Sequence, residues 1–288
     1  MMERVLILAA VFSLPADEAE IARLLREKGA KVVETKGVVS SVEAGDCSQW
    51  GDEEFRQLGR LTHLKSLSFG LGLSDKSLSL LSGLSELETL GSNGAQISDE
   101  GVKTLAAFKN LKVLSFFHPG KDFTGTGLAA LAELPALENL TVAGSLSFGD
   151  EGMAAVGKLT HLKAFRTWHT GPTVEGVKKL KSLPNLKQLM LGQRLAYKPP
   201  TTVSDETLAV LAGMKSLETL SLSEARLTRG AMAQFKQLSD LKKLTLDGID
   251  LPEAEVEALR QDLPKVEVKW TKPNEGVMKR INALFGPR

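Results

Sequence analysis

The sequence predicts an α/β right-handed solenoid, in which a short strand and a short helix alternate along the chain. Three observations lead to this prediction. The pattern L-x-x-L-x-L recurs in eight clear copies, and a segment with helical spacing of apolar residues precedes each copy. The helical segment starts 12 residues before the first Leu of the strand in every case. Such a unit buries its apolar face against its neighbours, so the structure grows in one dimension.

The strand unit is clearest at residues 64–69, which read LKSLSF. Its last three positions alternate between apolar and polar residues, as expected for a half-buried strand. Residues 39–44 form an earlier and weaker copy. We therefore expect about nine or ten short parallel strands on the concave side of the solenoid. The clear copies begin at Leu64, Leu87, Leu111, Leu137, Leu162, Leu186, Leu217 and Leu241.

The helical unit places apolar residues three positions apart, as in Leu78, Leu81 and Leu84 after Asp75. This spacing predicts a two-turn helix that faces the core from the convex side. A hydroxyl residue precedes the helix start in six repeats, and its oxygen can accept a hydrogen bond from an N–H group of the first turn. Where an aspartate follows, it complements the positive end of the helix. The predicted N-caps are Ser74, Ser98, Thr124, Thr173, Ser204 and Thr228.

The loops that lead from each strand to the next helix contain all the variation in repeat length. Successive first leucines are 23, 24, 26, 25, 24, 31 and 24 residues apart. The longest loop spans residues 193–202 and includes the only tyrosine, Tyr197, together with Pro199 and Pro200. Because prolines stiffen a loop, they lower the entropy that is lost when the loop orders against a partner.

The two linked motifs resemble those of bacterial leucine-rich-repeat proteins of the short ribonuclease-inhibitor-like or cysteine-containing type. The match covers roughly residues 39–259. It departs from the family pattern where Ala95, Ala225 and Ile249 stand in place of the Asn or Cys that often follows the last strand Leu. The resemblance implies a horseshoe fold and a binding role without a named ligand, because this family's functions are diverse.

The two ends of the chain differ from the repeats. Arg4, an apolar run over residues 5–14 and then Pro15 and Ala16 have the form of a secretory signal peptide, which predicts cleavage after residue 16. The alternative is a buried N-terminal strand or helix. With a signal peptide the protein is secreted or periplasmic; without one it is cytoplasmic. Residues 17–38 are predicted as an N-terminal cap, built from an amphipathic helix and a strand at residues 31–33.

The solenoid is predicted to extend over residues 39–270, and residues 271–288 form a capping helix or tail. In that last segment Val277, Ile281, Leu284 and Phe285 fall on one face of a helix. The cap buries the exposed apolar end of the solenoid, as terminal repeats must. The alternative is that this helix docks on a partner.

Composition excludes several classes of function. The 288 residues contain 36 Lys and Arg against 35 Asp and Glu, so the net charge of +1 favours neither nucleic acid nor an acidic membrane surface. Cys47 is the only cysteine, so no internal disulfide and no thiolate zinc site can form. No run other than the N-terminal one approaches the length of a membrane span. We expect a monomer without a cofactor.

The sequence contains none of the spaced motifs of hydrolases, metalloproteases or nucleotide-binding loops, so no catalytic residue is predicted. His63 and His161 repeat with the structural unit, which indicates a structural role. His118 and His169 follow strands two repeats apart, so their side chains start about 10 Å apart, too far to share a metal ion easily. An enzyme with a loop-borne site near these histidines and Arg194 is the least favoured alternative.

The candidate site is a patch of large side chains on the concave face. Most outward strand positions are small and polar, but three consecutive repeats place aromatic, Arg and Met side chains there, on either side of a small Ala143 that could floor a groove. These residue types are favoured in interface anchors. We predict a non-enzymatic recognition module for a protein, or for a glycan; the alternatives are a structural spacer and a cytoplasmic adaptor. The predicted partner-binding residues are Phe117, Arg166, Trp168, Met190 and, on the long loop, Arg194 and Tyr197.

Overall fold

The computed structural model describes residues 16–194 and 198–287, which form one continuous sheet backed by short helices. Eleven strands follow one another in chain order across the sheet. The ten from β2 to β11 are parallel, so the predicted leucine-rich-repeat solenoid is confirmed. The strands are β1 (Lys31–Thr35), β2 (Val38–Glu43), β3 (Ser66–Phe69), β4 (Thr89–Asn93), β5 (Val113–Phe117), β6 (Asn139–Ala143), β7 (Ala164–Trp168), β8 (Gln188–Leu191), β9 (Thr219–Ser223), β10 (Lys243–Asp247) and β11 (Glu267–Thr271).

The first strand is the exception to the parallel order, because β1 runs antiparallel to β2. The two strands are joined by Lys36 and Gly37, which have φ angles of 53° and 78°. Positive φ at both central residues is characteristic of a type I′ turn, whose backbone twist matches the twist of the two strands it joins. A hairpin therefore begins the sheet.

The convex side combines α-helices with short 3₁₀ helices, where the sequence predicted two-turn α-helices throughout. An apolar residue at every third position suits both helix types. A 3₁₀ helix rises about 2.0 Å per residue, so it covers a given length with fewer residues than an α-helix. The α-helices are α1 (Ala16–Glu27), α2 (Asp52–Gly59), α3 (Asp75–Ser79), α4 (Asp99–Thr104), α5 (Asp150–Val156), α6 (Val174–Lys179), α7 (Asp205–Leu211), α8 (Arg229–Met232), α9 (Glu253–Asp262) and α10 (Glu275–Phe285). The 3₁₀ helices are Leu105–Ala107, Thr126–Glu133, Leu180–Ser182 and Ala233–Gln237.

The core is a stack of equivalent side chains between the sheet and the helices. Partners in register across the strands, such as Leu114, Leu140 and Phe165, have 0% exposure. In the central repeats Phe123 packs against Phe116 and Phe148, with ring centroids 5.2 and 6.3 Å away. Each repeat thus completes its core only in contact with the next.

Hydrogen bonds between aspartates and hydroxyl groups join successive repeats at the starts of the helices. Ser98 caps α4 by accepting from the N–H groups of Glu100 and Gly101, and its own Oγ donates to Asp75 of the preceding repeat over 2.6 Å. The backbone N–H of Ser98 also donates to Asp75 over 2.9 Å. The sequence predicted only that each aspartate stabilises the start of its own helix. In the structure the aspartate also accepts hydrogen bonds from the next repeat. The other donor and acceptor pairs are Thr124 with Asp99, Thr173 with Asp150 and Thr228 with Asp205.

The expected N-cap at Thr124 was wrong. The residue that caps the 3₁₀ helix is Gly125, at φ 88° and without a side-chain bond. Thr124 donates its hydroxyl to Asp99, while the N–H groups of Gly125 and Gly127 donate to the other oxygen of that carboxylate. Asp99 thus satisfies two of the N–H groups at the helix start, and the Thr124 hydroxyl accepts one longer bond, 3.4 Å, from the N–H of Thr126.

The C-terminal helix α10 packs on the loops that follow β9 and β10. Its Ile281 is fully buried. Arg280 contacts Glu224 over 2.9 Å, and Arg226 donates to Asn282 over 2.8 Å and to Asp250 over 2.6 Å. These polar contacts position α10 across the last repeats.

At the other end, α1 packs against the first hairpin. Ala22 and Leu25 of this helix have 0% exposure, and the buried carboxylate of Glu18 accepts from the N–H of Val39 over 3.0 Å. The predicted signal segment, residues 1–16, lies outside the described residues except for Ala16, where α1 begins.

Candidate partner-binding face

The strand register places four of the six predicted site residues in two neighbouring rows of the concave face. Phe117, Ala143 and Trp168 are consecutive partners across β5, β6 and β7. Arg166 is the partner of Met190 across β7 and β8. Because strand side chains alternate between the two faces, Arg166 and Trp168 point to the same side. The structure therefore brings these side chains onto one patch.

The two aromatic rings of this patch contact each other. The ring centroids of Phe117 and Trp168 are 5.9 Å apart, and the ring planes meet at 62°, an edge-to-face arrangement. Ala143 beneath them is only 2% exposed. The rings thus close over Ala143, and the open groove expected between them is absent from the described patch. Both rings remain partly exposed.

Gly192 allows Trp168 to lie in this position. A Cβ atom at Gly192 would lie 2.4 Å from the Cβ of Trp168 and 2.9 Å from the hydroxyl of Ser223. Both distances are too short for any other residue without a backbone shift. The absence of a side chain at residue 192 therefore sets how closely the next strand approaches the tryptophan.

The two strand-end histidines flank the patch and share an unusual backbone conformation. His118 and His169 have φ angles of 47° and 50°. The Nδ1 atom of His118 lies 3.0 Å from the Oδ1 atom of Asn93, and the Nε2 atom of His169 lies 3.6 Å from a carboxylate oxygen of Glu224. Among the described residues, no group of three or more His, Cys, Asp or Glu side chains could hold a metal ion.

The long loop is organised by its own hydrogen bonds. Gln193, which is fully buried, donates to the carbonyl of Val203 and accepts from the N–H of Thr202. Arg194 donates to the carbonyl of Pro200 over 2.8 Å, within the same loop. The predicted site residue Tyr197 lies outside the described residues. The expectation that this loop folds over the patch therefore stays a prediction.

A depression beside the patch contains residues that the sequence reasoning missed. It extends from Arg166 and Met190 across β9 to Lys243 and Thr245 of β10. Ser221 and Thr245 are among the small, polar outward positions at which the sequence predicted no contact with a partner. The third outward row, to which Lys243 belongs, follows from the same alternation and would have indicated it. The remaining lining residues are Gln188, Leu189, Thr219 and Ser221.

The concave positions on the N-terminal side of the patch carry no charge. Across the described strands β3 to β6, every outward residue is neutral, and Phe117 is the only aromatic residue among them. Depletion of charge is typical of the buried centre of a protein interface. The outward residues are Ser66, Ser68, Thr89, Gly91, Asn93, Val113, Ser115, Phe117, Asn139, Thr141 and Ala143.

A solved structure of a bacterial protein shares this fold. Internalin C2 from Listeria monocytogenes is 14% identical in sequence, and the alignment covers 89% of this chain and 93% of that one with a TM-score of 0.51. Another Listeria monocytogenes internalin, inlF, is 16% identical, with 96% and 97% coverage and a TM-score of 0.40. No protein-family model and no curated protein matches the chain. At this identity, the likeness to internalin C2 shows the leucine-rich-repeat fold alone.

Within residues 16–194 and 198–287, no helix has both the length and the apolar character that crossing a membrane requires.

Proposed function

We propose that this protein is a non-enzymatic recognition module that binds a protein partner through the concave face of β5 to β8. Solenoids of this type present extended concave surfaces that commonly bind other proteins. The observation on which the proposal depends is the partly exposed pair of Phe117 and Trp168, with Arg166 and Met190 in the adjacent row. Aromatic and Arg side chains supply most of the binding energy in protein interfaces.

The fold does not need these aromatic rings. Beneath them, the core positions Leu114, Leu140 and Phe165 are already fully buried. At the equivalent outward positions of other repeats stand Asn93 and Ser223, whose strands are formed equally well. A spacer without a ligand has no reason to expose large apolar rings to water, so the pair favours recognition over a purely structural role.

The non-enzymatic part of the proposal has two supports. The sequence lacks the spaced motifs of known catalytic sites. The concave patch itself combines aromatic, Arg and Met side chains without a nucleophile paired to a base, which catalysis of acyl or phosphoryl transfer needs.

The test is a binding measurement on matched variants. Wild-type protein is used to isolate its partner from the native host, and dissociation constants are then measured for Trp168→Ala and for Ser68→Ala, a concave control outside the patch. We expect Trp168→Ala to weaken binding by about 2–4 kcal/mol and Ser68→Ala to change it by well under 1 kcal/mol. The melting temperatures of both variants should stay close to that of the wild type.

Three results would contradict the proposal. Full affinity in a folded Trp168→Ala variant would show that the patch is not the contact surface. Unfolding of Trp168→Ala would show that the indole is structural; Phe117→Tyr, which keeps a ring and adds a polar group, then serves as the second variant. If the wild-type protein binds no partner from the native host, the alternative of a structural spacer without a ligand is favoured.

We also propose that residues 1–16 are an export signal and that the mature protein begins near Asp17. Helix α1 begins at Ala16, so cleavage there leaves the cap formed by Ala22 and Leu25 intact. Sequencing the N-terminus of protein purified from its native host tests this. A terminus near Asp17 supports export, whereas an intact Met1 would favour a cytoplasmic adaptor.

A further inference from the structure

The depression between β7 and β10 has a composition unlike the rest of the concave face. Two cations, Arg166 and Lys243, lie at opposite sides of it. Between them the lining consists of Met190, the buried Leu189 and the hydroxyl and amide groups of Gln188, Thr219, Ser221 and Thr245. At about 190 Å³ the cavity is smaller than the usual site for a drug-sized molecule, and its size suits one side chain of a partner.

Arg166 and Lys243 are distinguished from the other basic residues of the strand region by their lack of a carboxylate partner. Along one edge of the sheet, lysines and glutamates neutralise each other: Glu218 pairs with Lys187 over 2.7 Å and with Lys242 over 2.6 Å. Hydrogen bonds from these lysines lower the pKa of Glu218 to about 2. In the same way, Glu88 forms ion pairs with Lys65 and Lys112, and Glu138 forms one with Lys163.

No such pairing reaches the depression. The described contact of the Arg166 guanidinium is with the side-chain oxygen of Gln188, over 3.2 Å. The register partner of Lys243 on β11 is Glu267, which pairs with Lys269 over 3.1 Å; this hydrogen bond and, to a lesser extent, the charge of Lys243 lower the pKa of Glu267. Among the described residues, no carboxylate oxygen lies within 4.0 Å of either cation.

Arg166 and Lys243 lie on strands about 14 Å apart, so both long side chains must extend along the sheet to reach one ligand. The bond of Arg166 to Gln188 directs the guanidinium from β7 toward β8, that is, toward β10 and Lys243. A guanidinium can donate two parallel hydrogen bonds to a carboxylate, and an ammonium group adds a point charge. The hydroxyls of Thr219 and Ser221 lie between them as further donors.

From this arrangement we infer that the depression is a specificity pocket for an acidic side chain, Asp or Glu, of the protein partner. This inference rests on the proposed function, since it identifies the chemistry of one contact on the same concave face. The aromatic pair supplies the apolar anchor, and the pocket sets which partner segment can lie beside it. Charge complementarity of this kind adds specificity and excludes basic segments.

The experiment uses the full chain and a defined probe rather than the unknown partner. The methyl groups of the methionines are labelled with ¹³C, because Met190 lines the pocket whereas Met153 and Met232 are buried in the core. The Met190 signal is assigned with Met190→Leu. The probe is the blocked peptide acetyl-Gly-Glu-Glu-Gly-amide, and the matched control peptide has Gln in place of both Glu residues.

We expect the acidic peptide to shift the Met190 signal in a saturable manner and to leave Met153 and Met232 unchanged. Arg166→Gln and Lys243→Gln should each weaken the apparent affinity by about tenfold, which corresponds to the loss of one charged hydrogen bond. Lys242→Gln is the matched control, because it removes the same charge one residue away, from a side chain that pairs with Glu218 outside the pocket. This variant should bind as the wild type does.

Four results would overturn the inference: no shift of Met190, an equal shift with the Gln peptide, an equal loss in Lys242→Gln, or a stronger response to inorganic phosphate than to the acidic peptide. The last would assign the pocket to phosphate. Because the partner is not used, a negative result here leaves the Trp168 binding test unaffected, and failure of that test leaves the peptide result interpretable.

Discussion

At the residue scale, the connection between repeats depends on a few short polar side chains. Asp99 accepts from the N–H and hydroxyl groups of Thr124 and from the N–H groups of Gly125 and Gly127. A buried N–H without an acceptor costs about as much as a lost hydrogen bond, so one carboxylate here satisfies the start of the next helix. The sequence indicated these residues as caps but not that they bond across repeats.

The glycines near the starts of α4 and α6 are required by the aspartate of the preceding repeat. A Cβ atom at Gly101 would lie 1.9 Å from the Oδ1 atom of Asp75, and one at Gly176 would lie 2.4 Å from the Oδ1 atom of Asp150. A side chain at either position would displace the carboxylate. Glycine in a helix interior is otherwise unfavourable by about 1 kcal/mol, so its use here reflects the aspartate of the preceding repeat.

Removal of this carboxylate should destabilise the fold. We expect Asp99→Ala to lower the free energy of unfolding by about 2–3 kcal/mol, because several donors lose a charged acceptor. Glu100→Ala, the neighbouring exposed carboxylate that pairs only with Lys103 within the same helix, should cost well under 1 kcal/mol. Urea denaturation of the two variants measures the difference. Equal effects would show that the contacts between repeats do not contribute to stability.

The contribution of Asp99 should depend on pH. Burial raises its pKa, but the hydrogen bonds from Thr124 and Gly127 outweigh burial and hold the pKa below the ordinary value of 3.8. A lowered pKa in the folded state means that the stabilisation is fully present above the unfolded value and is lost as pH falls through the folded value. The difference in stability between wild type and Asp99→Ala should therefore be constant above about pH 5 and shrink below 3.8. A difference that grows on acidification would contradict this assignment.

Cys47 should be chemically inert in the folded protein. Burial raises the pKa of its thiol to about 11, and the Sγ atom donates to the carbonyl of Leu71. Since only the thiolate reacts, alkylation by iodoacetamide at pH 8 should be about 100-fold slower than for a free cysteine. The same protein in urea provides the control and should react at the ordinary rate. Comparable rates in the two states would show that the thiol is accessible.

At the element scale, α10 packs over the loops that follow β9 and β10 near the C-terminal end of the solenoid. Ile281 supplies its buried contact, and Arg226 and Arg280 fix the helix to the loops of the last repeats. In a linear array, a terminal element stabilises only the repeats it touches, so its loss should act locally. The capping role of residues 271–288 stays a prediction, with docking of this helix on a partner as its alternative.

Shortening the buried side chain tests this role. We expect Ile281→Ala to reduce the free energy of unfolding by about 2–4 kcal/mol and to speed hydrogen exchange in the loops after β9 and β10. Lys279→Ala, on the exposed side of the same helix, should change stability by less than about 0.5 kcal/mol. If Ile281→Ala leaves both measurements unchanged, α10 does not cap the array.

How far the elements follow from the sequence can be judged from two cases. The strand around Leu67 and the helix start at Asp75 were predicted correctly, because the apolar period and the cap residue specify them locally. The 3₁₀ helix Thr126–Glu133 was expected as an α-helix. Its apolar spacing fits both helix types, and equivalent contacts with an aspartate also precede the α-helix α6, where Thr173 and Gly176 donate to Asp150, so neither feature specifies the helix type.

At the scale of the whole molecule, some features of the concave patch follow from the sequence and others do not. That Phe117, Trp168, Arg166 and Met190 share a surface follows from strand alternation alone. That the two rings close over Ala143, and that Arg166 leans toward Gln188 to form one depression with Lys243, depends on side-chain rotamers and on strands up to three repeats apart. No local sequence pattern specifies these rotamers or these contacts between distant repeats.

The central claim is that the concave face contacts the partner, and site-specific photocrosslinking tests it most directly. A benzoylphenylalanine residue is placed at Ser221, in the concave depression, or at Lys103, an exposed position on the convex helix α4. Each protein is irradiated with the isolated partner, and adducts are identified by mass spectrometry. The account predicts an adduct from position 221 and none from position 103, with loss of the adduct when Trp168→Ala is added. An adduct from position 103 alone would place the partner on the convex helices and contradict the account.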